Sequence, residues 1–201
     1  MLGLPKSIEF SKQLPKKAIY EKFNMNTAAK EKFDSDISRI NIVAEISPNT
    51  VNITKGETVS VIYVLQVILK HKEFEPKTVS QISKLIDQNM VLALDCDGER
   101  KLAIHHTKLL QTDWKPSNEC SIALTGLNLD TVWENLITQV GSIEVEQGLS
   151  LDEQIAADEQ KAKLEKEIAR LEKQARNEKQ PKKKFELVQQ IKELQKGLYN
   201  I

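Results

Sequence analysis

The residues whose types could do chemistry are few. Asp95, Asp97 and Glu99 alternate just before Lys101, and carboxylates converging beside a lysine are what a two-metal nuclease uses to hold its ions and activate water. The same alternation around Asp97-Gly98 is also the ordinary make-up of a polar hairpin turn, and that reading is the simpler one. Cys96 and Cys120 share no ligand spacing, so both are expected as small buried apolar side chains. His71 stands alone, and His105 and His106 are adjacent. Neighbours on a strand point to opposite faces, so those two do not make one metal site. Neither a phosphate loop nor a paired G-x-G nor a G-x-S-x-G elbow occurs. Catalytic residues, a bound metal and a cofactor are therefore not expected, and the reading leans away from an enzyme.

A different chemistry is offered further on. Between residues 176 and 184 the cations Arg176, Lys179, Lys182, Lys183 and Lys184 face a single acid, Glu178. Such a cluster can neutralise phosphates of a nucleic-acid backbone without reading sequence, with Lys16 and Lys17 as candidate helpers. The plain alternative is a solvated turn.

The elements that must position this cluster are legible. Leu164, Ile168, Leu171 and Ala175 step by four, three and four, as do Leu187, Ile191, Leu194 and Leu198, the spacing of coiled-coil seams. Paired in reverse order, the two series are centred on Pro181. Proline costs about 3 kcal/mol inside a helix but little at its first position, so the chain should turn back near Pro181. Leu151 and Ile155 are expected to seat this hairpin on the rest of the chain. One continuous helix pairing in a homodimer uses the same residues and is the rival geometry.

Composition changes once, near Gly148, after which Glu, Lys, Gln, Ala and Leu dominate. This predicts a globular domain over 1–148 and a helical hairpin over 149–201. Within the first part, Ala29, Phe33, Ile37 and Ile40 suggest a helix from Thr27, after a proline-punctuated extended start. Asn41–Ile46, Thr50–Thr54, Val59–Leu69, Met90–Asp95, Lys101–Leu109 and Ser121–Leu124 read as strands. Helices are expected from Pro76 and over Leu129–Val140. The fold class is α+β: a mixed or mainly antiparallel sheet with about three packing helices, plus a C-terminal antiparallel helical hairpin.

The 201 residues carry 29 basic and 29 acidic side chains, so no global field draws the molecule to nucleic acid or an anionic membrane. No run approaches the roughly 18 apolar residues of a span, and the start lacks a signal-peptide core, so a cytoplasmic protein is expected.

Leu14-Pro15-Lys16, Tyr20-Glu21-Lys22-Phe23, Val61 to Lys70, Asp87 to Leu94, His106-Thr107-Lys108 and Leu127 to Glu134 carry one resemblance. Through them, and over nearly its whole length, the chain resembles an uncharacterised bacterial family known only as a domain of unknown function. Members of that family are often encoded beside the DNA methyltransferase and helicase of type III-like restriction-modification or antiphage defence clusters. The resemblance implies an accessory role, docked on such a methyltransferase or helicase, and supplies no catalytic residue.

Overall fold

In the computed structural model, which describes residues 2–198, apolar runs become strands wherever a partner strand lies beside them. Met1 and residues 199–201, the ends of the predicted domain and hairpin, lie outside the described residues. The chain divides into two compact units, Met1–Ile143 and Glu144–Ile201. The first contains β1 (Glu9–Gln13), α1 (Lys16–Lys22), α2 (Thr27–Asp36), β2 (Ile37–Ile46), β3 (Ile62–Leu69) and α3 (Pro76–Ile82). It continues with β4 (Asn89–Cys96), β5 (Glu99–His105), β6 (Leu109–Gln111), β7 (Lys115–Pro116) and α4 (Leu129–Gly141). The second holds α5 (Leu151–Asn177) and α6 (Pro181–Leu198).

The sheet runs β1-β2-β3-β4-β5-β6, with β7 also paired to β5. Among the described strands, β3 and β4 pair in parallel, with α3 in the crossover between them, and the other strand pairs are antiparallel. The result is the expected α+β class with a mainly antiparallel sheet. Both β3 and β4 are almost continuously apolar because both faces are covered. One face gathers Leu65, Val67, Leu92 and Leu94 with Ile19, Phe33, Val79 and Ile82 from α1, α2 and α3. On the other, Ile62, Val64, Val91 and Ile104 are fully buried. There α4 packs against β5 and β6, with Leu110, the register partner of Ile104, beside Gly141. Asp97 (φ +49°) and Gly98 (φ +81°) close the β4–β5 hairpin with the two left-handed residues of a tight turn.

Several expectations are corrected. The extended start contains α1, which follows Pro15 directly and buries Ile19. Its Lys16 Nζ donates to Asp34 Oδ1 (2.6 Å) and to the Ile37 carbonyl (2.5 Å), and Tyr20 Oη donates to the same Asp34 oxygen (2.6 Å). Helix α2 ends at Asp36, and Ile37 and Ile40 belong to β2, where they face β3. Residues 50–54 form a turn, with only Thr54 bridging to Asn128. Val59 and Ser60 precede β3, and Lys101–Leu109 is divided between β5 and β6. Ser121–Leu124 is irregular.

Two carboxylates around α2 tie stability to pH. Hydrogen bonds from Lys16 and then Tyr20 hold Asp34 below the usual carboxylate range. Burial pushes Asp36 up, but hydrogen bonds from Lys32 and Ser35 outweigh it and leave Asp36 lowered as well. The unfolded chain then binds protons more tightly than the folded one, so this stabilisation is present above about pH 4 and is lost as pH falls through the lowered folded values. Thermal melts at stepped pH should show Tm falling below about pH 4, with a weaker dependence in Asp34→Asn. An equal slope in that variant would refute the assignment.

Candidate interaction surface on the helical hairpin

Helix α5 starts at a reciprocal cap: Ser150 Oγ accepts from Glu153 N (3.3 Å), and the Glu153 carboxylate accepts from Ser150 N (2.8 Å). It runs 27 residues, about 40 Å, to Asn177. Residues 178–180 form the turn, where Gln180 N donates to Glu178 Oε1 (2.8 Å). Pro181 is the first residue of α6.

The two helices pack together. Ile168, Leu171, Ala175 and Ile191 are buried in one cluster, with Leu187 and Leu194 partly buried against it. Leu164 lies beside Gly197, and Leu164 and Leu198 are half-buried at the end away from the turn. This seam occupies one face of each helix and leaves the turn to solvent.

Arg176, Lys179, Lys182, Lys183 and Lys184 are all exposed around that turn. Arg176 reaches Glu172 at 3.8 Å across exposed helix surface, a contact worth little. Among the described residues no carboxylate ion-pairs with the four lysines. Lys182, Lys183 and Lys184 occupy the first turn of α6, which contains no acid. The positive end of the helix dipole sits there too, so each lysine costs the helix roughly 0.3–1 kcal/mol at low salt. Stability alone would favour acids at these positions.

Sequence reading missed Phe185, which follows the three lysines and is 63% exposed. The available signal was its position: it falls outside the Leu187, Ile191, Leu194 stripe, so an aromatic ring beside a lysine run had no core to enter. An exposed ring next to cations suits base stacking or an apolar anchor in a partner.

The other sites considered lie in the first unit. Arg100 Nε and Nη2 donate to Asp95 Oδ1 (2.5 Å) and Oδ2 (2.8 Å), and Gln66 Nε2 donates to Asp95 Oδ2 (2.7 Å). Asn41 Nδ2 extends the chain to Gln66 Oε1 (3.3 Å), so the network crosses β2, β3, β4 and β5 on one face. Asp97 is in the turn, Glu99 pairs with Lys72, and Lys101 lies 5.4 Å from the Trp114 ring centroid. The structure thus disperses the four candidate nuclease residues into separate contacts. Cys96 and Cys120 are buried free thiols, raised above the ordinary value first by burial. Lys16 is engaged with Asp34, whereas Lys17 is exposed beside Glu21. Among the described residues no helix is long and apolar enough to cross a membrane.

A protein-family model described as Domain of unknown function (DUF4391) matches residues 2–198. No curated protein and no solved structure matches the chain.

Proposed function

The chain belongs to the DUF4391 family, and from that premise we propose that it is a non-enzymatic accessory module whose helical hairpin docks on larger nucleic-acid-handling machinery. The partner is a DNA methyltransferase or helicase of a bacterial restriction-modification or antiphage defence system. The observation that carries this reading is the hairpin turn, where four lysines without ion pairs and the exposed Phe185 are held on a seam that needs neither. The tagged protein, purified from its own host, should retain a methyltransferase or helicase after nuclease treatment. The same protein lacking Leu164 to Leu198 should lose it. Normal defence activity of that deletion would refute the proposal.

The lysine run favours a second reading, in which the turn contacts a nucleic-acid backbone directly. Affinity for a random duplex would then fall steeply with salt, and replacing Lys182, Lys183 and Lys184 by glutamine should flatten the logarithmic salt slope by about two to three units. Phe185→Ala should weaken single-strand binding by about 1–3 kcal/mol if a base stacks on it. An unchanged slope in the triple variant would exclude the lysines as phosphate contacts.

A further inference from the structure

An open cavity of about 610 Å³ lies in the first unit, at the end of the sheet where β3 and β4 begin and β5 finishes. Lys22, Lys84 and His105 line it, together with the neutral hydrogen-bonding groups of Ser60, Gln88 and Asn89. We propose that this cavity binds a small phosphate monoester, with Lys22, Lys84 and His105 around the phosphate.

Three cation-forming side chains from three separate segments meet here. Among the described residues none has a carboxylate in ion-pair contact. Asp87 also lines the cavity and pairs with none of them. Holding Lys22 and Lys84 along one cavity without an ion pair costs energy that a bound anion recovers. Burial first, and then Lys84, hold the His105 imidazole below its ordinary value, so at neutral pH it lines the cavity as a neutral hydrogen-bonding group.

The walls are tied down independently of any ligand. Lys22 Nζ donates to the Leu85 carbonyl (2.6 Å), fixing the end of α1 to the segment after α3. Thr58 and Val59, which also line the cavity, are held from behind: the carboxylate of Asp130 accepts from the backbone of Glu57 (2.6 Å), Thr58 (3.1 Å) and Val59 (2.8 Å). A Cβ at Gly56 would stand 2.4 Å from that carboxylate, so the loop closes this tightly only with glycine there. Binding to such a preset wall loses little ordering entropy. The volume suits a ligand of nucleotide size rather than phosphate alone. Such a ligand would place its phosphate by the lysines and its hydroxyl groups by Asp87, Gln88 and Asn89.

Calorimetric titration of the full chain with inorganic phosphate and with adenosine monophosphate tests this. Saturable binding of one ligand per chain is expected, tighter for the nucleotide. Lys84 is exposed, so Lys84→Gln leaves the core untouched; it should weaken both ligands by about tenfold or more. Asp87→Asn, which removes the one negative charge, should tighten inorganic phosphate, a change that a purely structural role would not produce. Glutamine at Lys182, Lys183 and Lys184 should leave both affinities as they are. Absence of saturation by either ligand up to about 10 mM, or unchanged affinity in Lys84→Gln, would overturn the proposal. The hairpin reading stands or falls separately, because its test uses residues of the other unit.

Discussion

Replacing Arg100 by methionine is expected to destabilise the sheet-bearing unit by about 3–5 kcal/mol. Arg100 is only 6% exposed, and its guanidinium holds both oxygens of Asp95 beside the β4–β5 turn. Methionine fills much of the same space but leaves the carboxylate with Gln66 as its remaining side-chain donor. The large cost therefore measures a stranded charge rather than the worth of the pair. A companion variant separates the two: Asp95→Leu with Arg100→Met removes both charges and should recover most or all of the loss. Urea denaturation followed by tryptophan fluorescence reads this unit, since Trp114 and Trp133 both lie in it. A single-variant loss below about 1 kcal/mol would mean that water reaches Asp95 freely.

Ile191→Asp is expected to melt the hairpin. Ile191 is the one buried residue of α6, and it packs with Ile168, Leu171 and Ala175 of α5. Burying Ile168, Leu171 and Ile191 stabilises the seam by roughly 1.5–3 kcal/mol each. The substitution removes one of these contributions and places a carboxylate where it must be desolvated, which adds several kcal/mol more. A helix of 18 residues with three lysines against its dipole has little stability of its own. Far-UV circular dichroism should lose helical signal worth about one α6, while the fluorescence transition of the first unit stays in place. If helicity survives, α6 is held by something other than this seam. The same variant should also lose any partner retained through the hairpin, whereas the lysine-to-glutamine variant should keep its helicity.

Much of this organisation was legible because it is written in local periodicity. The two seam series and Pro181 between them specify α5, the turn and α6, since an apolar residue every 3.5 positions has few other structural solutions. The stripe Leu129, Val132, Trp133, Leu136, Ile137 and Val140 specifies α4, and Asp97-Gly98 the tight hairpin. The cation cluster was legible as composition, but the freedom of its four lysines from ion pairs is a fact of geometry.

Other features were decided by tertiary partners. Ala29, Phe33, Ile37 and Ile40 satisfy helical spacing as they stand, yet the helix stops at Asp36 because Ile37 and Ile40 find β3 alongside. Thr50–Thr54 has strand-like composition but no neighbouring strand; the Thr50 and Val51 amides donate to the Ser47 carbonyl, and Ile53 N to the Val51 carbonyl. Helix α1 has too few residues to be stable alone and persists because Ile19 is buried and Lys16 and Tyr20 share Asp34. The contact of Asp95 with Gln66, and the presence of Lys22, Lys84 and His105 around one cavity, join residues that strand pairing and helix packing bring together across the chain. By itself the sequence determined which segments can bury a face. Which faces meet, and therefore which charged groups are paired and which are left open, was decided only by the sheet's register and the crossover through α3, because these contacts lie between residues that no local spacing relates.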